Sequence, residues 1–249
     1  VDGRWGELTP VQSQNTIVNH HDGLDILDWG FDHAGGLSIF GSFAAIPLQG
    51  EDDSKVVFTK LYDPEGPERM YGNEMFFPGY AHSGAVAVVK SNGTYLVAVE
   101  GDVTIGGIAT ADIRFYRSQT GDIRQPQSWT FLGRRVGPSN PPLAPFNGMN
   151  FVRDCDGTLY LLGFYNTAPG GFFGENMVLA YVVTEPSGGL PELVFVASRE
   201  FRGHYNSDQY GNFDAGAGAY VDESHELILY ATEFYRRKGG EPWLRMMEW

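Results

Sequence analysis

Histidine and aspartate recur at one position of a repeated pattern. His33, His82 and Asp214 each stand directly before a small residue and a glycine, and Phe146 holds the same position in another copy. Two imidazoles and a carboxylate in one ring could act as acid and base, bind a ligand by hydrogen bonds or hold a divalent metal. Alternatively, these side chains only form hydrogen bonds to enclosed waters and cap the ends of strands. His33, His82 and Asp214 are therefore candidate catalytic residues, and no metal or cofactor is assigned.

Long segments rich in aromatic, amide, acidic and glycine residues connect the repeated units. Examples are "YNTAPGGFFGEN" and "FRGHYNSDQYGNF". Sugars need flat apolar faces beside fixed hydrogen-bonding groups, and this mixture offers both. The candidate ligand-binding residues are Phe172, Phe173, His204, Tyr205, Asp208 and Tyr210. The alternative is that these aromatic residues hold the long loops against the body of the protein.

Other polar clusters favour structural interpretations. "HHDG" at 20–23 is typical of a loop, and "RDCDG" at 153–157 lacks the third acidic position and the closing glutamate of a calcium loop. Cys155 lies in that turn with no base beside it, which indicates an incidental thiol. We find no nucleophile elbow, zinc-protease motif or phosphate-binding loop.

The elements that must position these residues form an internal repeat. Four segments align on Gly35, Gly84, Gly148 and Gly216, and an apolar strand, a turn and a second strand follow each glycine. Asn-Gly and Asp-Gly pairs in the turns tolerate the positive φ of a tight hairpin. Each unit is therefore predicted to begin with a β-hairpin.

Third and fourth strands are predicted in two units, from "ADIRFYRS" and "SWTFLGRRV" and from "NMVLAYVVTE" and "ELVFVASREF". Repeated four-stranded antiparallel sheets are the blades of a β-propeller, in which glycine suits the crowded inner strands. We predict an all-β, single-domain propeller over 1–249, with four blades of four strands beginning near 31, 80, 145 and 213. Residues 1–30 complete the last blade and close the ring; a fifth blade built partly from them is the alternative.

The blade motifs also carry a resemblance. The runs "HAGGLSIFGSFAAIPLQG", "FVRDCDGTLYLLGFYNT" and "AGAGAYVDESHELILYATEF" resemble those of a group of secreted bacterial and fungal propeller-like proteins. The resemblance covers about residues 31 to 249. It implies the fold and an extracellular location, and it implies no activity.

Charge and composition limit the partners. The formal net charge of −14 disfavours nucleic acid and anionic membranes, and no apolar stretch is long enough for a membrane span. One cysteine allows no intrachain disulfide, and a chain that begins with valine without a signal peptide suggests a processed mature protein. We expect a secreted monomer whose partner is a carbohydrate or another small neutral or cationic ligand.

Three functions follow, in order of preference. The first is ligand binding, with carbohydrate favoured, at the loop-rich mouth of the central channel that the propeller blades would surround. The second is a hydrolase or lyase that uses Asp214 or Asp208 with His33, His82 or His204 at the same mouth. The third is a protein-interaction scaffold. The repeated units differ in their polar residues, which favours one asymmetric site over a lectin with a site in every blade.

Overall fold

A computed structural model gives the architecture. It describes residues 4–8, 31, 33–61, 68–69, 72–80, 82–105, 108–136, 143–166, 176–186, 189–201, 211–222, 224–233, 236–238 and 241–248. Within these ranges the chain forms nineteen β-strands and no helix, so no helix is long and apolar enough to cross a membrane. The strands are arranged in four sheets, and every strand pairing within them is antiparallel. The prediction of an all-β chain built from antiparallel sheets is confirmed.

Strand β1 (Arg4–Leu8) comes first in the chain but belongs to the fourth sheet. The first sheet contains β2 (His33–Ala34), β3 (Ser38–Phe40), β4 (Phe43–Gln49), β5 (Ser54–Lys60), β6 (Glu68–Arg69) and β7 (Met75–Phe77). Strands β2 and β3 both pair with β4, and β6 and β7 both pair with β5. The predicted first strand is interrupted between β2 and β3. The Gly35 N–H still donates to Pro47 O of β4, but the Gly36 N–H donates to Gly84 O, outside this sheet.

The second sheet is a simple meander. It contains β8 (Val86–Ser91), β9 (Thr94–Ile105), β10 (Ile108–Ser118) and β11 (Trp129–Val136), which lie side by side in chain order. The turn between β8 and β9 has Asn92 at a φ of 51° and Gly93 at a φ of 80°. Because these are the residues that adopt positive φ most readily, the hairpin predicted from "NG" is confirmed.

The third sheet repeats this order. Its strands are β12 (Gly148–Arg153), β13 (Leu159–Asn166), β14 (Asn176–Thr184) and β15 (Glu192–Phe201). The Asp154 carboxylate accepts the backbone N–H groups of Asp156 and Thr158, and Gly157 has a φ of 85°. "RDCDG" is therefore a hairpin turn, as predicted, with its first aspartate bonded to the turn backbone.

The fourth sheet joins the two ends of the sequence. It contains β16 (Gly211–Val221), β17 (Leu227–Glu233), β18 (Arg236–Lys238) and β19 (Glu241–Glu248), together with β1. Strand β1 pairs with β19, from Arg4 opposite Glu248 to Leu8 opposite Leu244. The sequence predicts that residues 1–30 complete the last blade; β1 belongs to that segment, and residues 9–30 lie outside the described residues.

Each sheet packs its faces against its neighbours in the sequence. In β9, Leu96 and Ala98 face a core shared with the third sheet, and Val97 and Val99 face a core shared with the first sheet. A third core lies between the third and fourth sheets and includes Phe164 of β13. Alternate residues of a strand point to opposite faces, so a strand that is buried on both faces reads as the continuous apolar run seen here.

The innermost strands approach each other closely at glycine. The Gly36 N–H donates to Gly84 O at 2.8 Å, and the Val86 N–H donates to Gly36 O at 3.0 Å. A Cβ added to Gly36 would lie 2.2 Å from Asn147 O, and one added to Gly148 would lie 2.3 Å from Ala217 O. These contacts connect all four sheets, and they leave no space for a larger side chain at Gly36 or Gly148.

Replacing Gly148 by valine tests this packing. The new side chain would have to displace the backbone at Ala217, so we expect the free energy of unfolding to fall by about 2 kcal/mol or more. Gly93→Ala is the control, because an added Cβ at Gly93 meets nothing within 4 Å and only its positive φ opposes alanine, at about 1 kcal/mol. Denaturant unfolding in which Gly148→Val costs no more than Gly93→Ala would contradict the packing.

Candidate functional site

The predicted catalytic residues lie in different settings. His33 is exposed in β2 opposite Gln49, and His82 lies just before β8 with its side chain 36% exposed. Asp214 lies in β16, and its side chain is outside the described set. The described contacts do not join His33 to His82, so the predicted ring remains a prediction.

The predicted ligand-binding residues fall on segments that the structure does not describe. Phe172, Phe173, His204, Tyr205, Asp208 and Tyr210 lie within residues 167–175 and 202–210, outside the described ranges. Their assignment to a ligand site also stays a prediction.

Phe146, which shares the repeat position of His82, points into the core. Its residue is 1% exposed, and its ring packs near Tyr165 and Tyr181. Gly163 makes this possible, because a Cβ at that residue would lie 2.4 Å from the Phe146 ring. The Phe146 ring is thus part of the apolar core, and Phe146 does not line a polar site.

His82 instead pairs with a carboxylate that the sequence analysis missed. Its Nε2 lies 3.3 Å from Oε2 of Glu100, whose side chain is fully buried. The same oxygen accepts the Gly84 N–H at 3.1 Å, and the His82 carbonyl accepts a long hydrogen bond of 3.5 Å from the Ser54 hydroxyl. The absence of a side chain at Gly84 is required, since a Cβ there would lie 2.3 Å from Oε2.

Burial changes the proton affinity of Glu100. Desolvation raises its pKa to about 7, although the hydrogen bond and charge of His82 act in the opposite direction and the nearby charge of Asp112 raises it further. Among the described residues, Oε1 of Glu100 has no hydrogen-bond partner. Glu100 thus exchanges its proton near neutral pH, and His82 is the half-exposed group in contact with it.

The sequence did contain a signal for Glu100. In "TYLVAVEG", Leu96, Ala98 and Glu100 alternate along β9 and all are fully buried. A carboxylate on the buried face of an apolar strand is unusual, because a buried charge needs a compensating partner. The partner could not be identified from the sequence, since His82 belongs to a neighbouring strand segment.

A buried ion pair lies on the other face of the second sheet. Arg114 donates to Asp112 through Nε at 3.1 Å and Nη2 at 3.2 Å, and both residues are buried in β10. Gly101 on the adjacent strand provides the space, because a Cβ there would lie 2.5 Å from Nη2. The Arg114 guanidinium also lies 4.0 Å from the ring centroid of Tyr80, a residue that is 41% exposed.

Tyr116 extends this cluster into the core. Burial raises the pKa of its hydroxyl to about 12. The nearby charge of Arg114 lowers this pKa, and that of Asp112 raises it further, both by less than burial does. Its ring packs against Phe77 of β7. Tyr116 therefore stays protonated at any physiological pH and serves packing rather than proton transfer.

The described residues contain no group of three histidine, cysteine, aspartate or glutamate side chains that could hold a metal ion. Cys155 is exposed, and the Asp154 carboxylate is bonded to its own turn. The pair of His82 and Glu100 alone supplies too few ligands for a structural zinc site. The arrangement favours proton exchange or hydrogen bonding over metal binding.

A second concave region lies between the third and fourth sheets, at their hairpin ends. It has a volume of about 600 Å³ and an apolar lining that includes Val152, Leu162 and Leu227. Asp154 and His225 also line it, and the Asp154 carboxylate already bonds the turn backbone. His82 and Glu100 do not line this region, and its mainly apolar lining offers few groups for acid–base chemistry.

The arrangement around His82 resembles a general acid and base in its chemical parts. An imidazole that contacts solvent is oriented by a buried carboxylate, which can hold or return a proton as the imidazole changes charge. Glu100 is too deeply buried to touch a ligand, so any direct contact would be made by His82. Tyr80, two residues earlier in the chain, is an exposed aromatic residue that contacts Arg114 on the other face of the sheet.

Comparisons with known proteins give a weak structural likeness. No family model and no curated protein matches this chain. A xylan beta-1,4-xylosidase from Bacillus halodurans C-125 aligns with 88% of this chain at 10% identity and a TM-score of 0.37. The alignment spans about half of that enzyme, 53% of its chain. A likeness this weak carries no argument about function.

The raised pKa of Glu100 predicts a pH dependence of stability. Between the unfolded pKa near 4.5 and the folded pKa near 7, the folded protein holds a proton that the unfolded chain has released. The stabilisation that Glu100 contributes is therefore fully present below pH 4.5 and is lost as the pH rises through 7. The free energy of unfolding falls over this range by up to about 3 kcal/mol. Glu100→Gln should remove this loss in denaturant unfolding from pH 4.5 to 8.5.

The exposed Glu192 provides the control for that experiment. Glu192→Gln should leave the pH profile of the wild type unchanged. Parallel profiles for the wild type and Glu100→Gln would mean that Glu100 does not carry a raised pKa.

Proposed function

We propose that this chain is a carbohydrate-binding protein whose ligand contacts His82 at the end of the second sheet where β8 begins. The observation that carries the proposal is the half-exposed His82 held by the fully buried Glu100. A fixed imidazole can donate to or accept from a sugar hydroxyl, and the exposed Tyr80, two residues earlier in the chain, offers an apolar surface. The proposed ligand class is a small neutral or cationic molecule, with carbohydrate favoured.

A hydrolase or lyase at the same place is the second candidate. The pKa of Glu100, raised to about 7, favours it, because an acid or base works best when its pKa is near the operating pH. In this reaction His82 would exchange a proton with the substrate and Glu100 would orient the imidazole and balance its charge. Glycoside hydrolysis commonly requires a second carboxylate near the bond that breaks, and Asp214 and Asp208 are the residues we propose for it.

The proposal includes a four-bladed β-propeller over residues 1–249, with the last blade completed by the N-terminal segment. Three features support it: four antiparallel sheets in chain order, cores shared between successive sheets, and inner strands in contact at glycine. The isolated parallel bridge between Gly36 and Ala85 is the kind of contact expected between adjacent inner strands. A closed ring further requires the fourth sheet to pack against the first.

We also propose that the protein is a secreted monomer. The high negative charge supports a well-solvated surface that resists self-association. Light scattering coupled to size-exclusion chromatography would test the monomer, and fractionation of the producing cells would test secretion.

Screening against neutral oligosaccharides tests the function. We predict that His82→Gln lowers the affinity for a bound oligosaccharide by about tenfold or more, because glutamine keeps a donor toward Glu100 but loses the imidazole. The unfolding midpoint should change little. Isothermal titration measures the affinity, and His225→Gln is the matched control, since His225 is an exposed turn residue. Equal affinities for His82→Gln and the wild type would contradict the proposal.

Product analysis separates the two candidates. A hydrolase releases new reducing ends and a lyase creates an unsaturated sugar, and either rate should fall by about 10² or more in His82→Gln. Binding without either product leaves the binding protein as the function.

Deleting residues 1–8 tests the closing strand of the fold. Loss of β1 would expose the backbone edge of β19, so we expect a lower melting temperature and increased aggregation. An unchanged melting temperature would mean that the N-terminal strand does not complete the fourth sheet.

A further inference from the structure

Tyr80 is presented by a rigid turn at the edge of the first sheet. The segment Phe77-Pro78-Gly79-Tyr80 is a β-turn in which the Tyr80 N–H donates to Phe77 O at 3.3 Å and Gly79 has a φ of 72°. Proline followed by a glycine with positive φ is the preferred sequence of a type II turn. The Gly79 N–H also donates to the Asp53 carboxylate at 2.7 Å, which ties the turn to the start of β5.

The back of the Tyr80 ring is supported by a buried cation. The carbon at the centre of the Arg114 guanidinium lies 4.0 Å from the ring centroid, and Arg114 is itself only 3% exposed. Asp112 fixes the guanidinium through two hydrogen bonds. One ring face is therefore covered, while the residue as a whole remains 41% exposed.

We propose that the face of the Tyr80 ring opposite Arg114 is a stacking subsite for the apolar face of a neutral sugar ring. This inference rests on the proposed function and narrows its ligand class. The ligand-binding residues predicted from the sequence lie on segments 167–175 and 202–210, so Tyr80 is an additional binding residue. Arg114 and Asp112 are positioning residues, because they hold the ring without contacting the ligand.

Charge selects a neutral ligand at this subsite. A cation stacks on an aromatic ring through the negative face of the ring, and the guanidinium of Arg114 already occupies that interaction from behind. An anion would approach a protein with a formal net charge of −14. A sugar ring needs neither charge, since its C–H groups pack on the ring and its hydroxyls seek hydrogen bonds.

His82 follows Tyr80 by two residues, which limits the distance between their Cα atoms to about 7 Å. Its imidazole contacts Glu100 on one face of the second sheet, whereas the Tyr80 ring lies on Arg114 on the other face. The two side chains would therefore contact different units of an oligosaccharide, with the aromatic ring supplying an apolar contact and the imidazole a directional one.

Binding of defined probes tests the inference. The probes are neutral xylo-, cello- and manno-oligosaccharides of four to six units, with tetramethylammonium as the cationic probe, measured by saturation-transfer NMR and isothermal titration. We expect an oligosaccharide to bind, tetramethylammonium not to bind, and Tyr80→Ala to weaken the affinity by about tenfold or more. Tyr80→Phe and Tyr80→Trp should retain binding, since both keep a flat ring.

Two further variants control for folding and for nonspecific aromatic contact. Tyr80→Leu keeps an apolar cover on Arg114 but removes the flat face, so it should fold and bind weakly. Phe76→Ala removes a ring that is 57% exposed at the neighbouring strand and should bind like the wild type. Thermal unfolding of each variant verifies the fold.

The outcomes separate this inference from the function on which it rests. If oligosaccharide binding depends on His82 but not on Tyr80, the function stands and the subsite is wrong. If tetramethylammonium competes with the sugar, or if Tyr80→Leu binds as tightly as the wild type, neutral stacking is wrong. If no probe binds the wild type, both are wrong.

Discussion

Close approach of the inner backbones at glycine is the constraint on which the rest of the structure depends. The backbone at Gly36 bonds that at Gly84 and lies against Asn147, and Gly148 lies against Ala217. Backbones at this separation leave no space for a Cβ, so the four sheets can converge only where the sequence provides glycine. Convergence then brings the sheet faces together, and the apolar residues of successive sheets form shared cores.

The same absence of side chains creates room for the buried charges. Gly84 admits the carboxylate of Glu100, and Gly101 admits the guanidinium of Arg114. Each charge lies where an apolar side chain would otherwise fill the core, and each has a specific partner that offsets its desolvation. The two sites lie on opposite faces of the second sheet, one reaching the partly exposed His82 and the other the exposed Tyr80.

Much of the fold could be predicted from the sequence because its signals are local. Asn92-Gly93 and Asp156-Gly157 specify tight turns, and the continuous apolar run of β9, buried on both faces, specifies a strand. The pairing of β1 with β19 joins the two ends of the sequence, and only the repeat indicates it, because residues 1–30 are needed to complete the last unit. The site was less predictable, since the contact of His82 with Glu100 depends on how adjacent strands align. The burial of the Phe146 ring was unpredictable for the same reason: repeat position does not reveal the neighbouring Gly163 that leaves space for the ring in the core.

The protonation of Glu100 is the property that most directly connects this packing to the proposed site. Carbon-13 NMR of glutamate-labelled protein, recorded from pH 4 to 9, would resolve its carboxyl titration, with Glu100→Gln identifying the signal. The structure predicts one carboxyl that titrates near pH 7 and is missing in the variant. Titration of every glutamate below about pH 5 would mean that Glu100 is solvated or fully ionised, and would contradict the buried proton-exchanging pair.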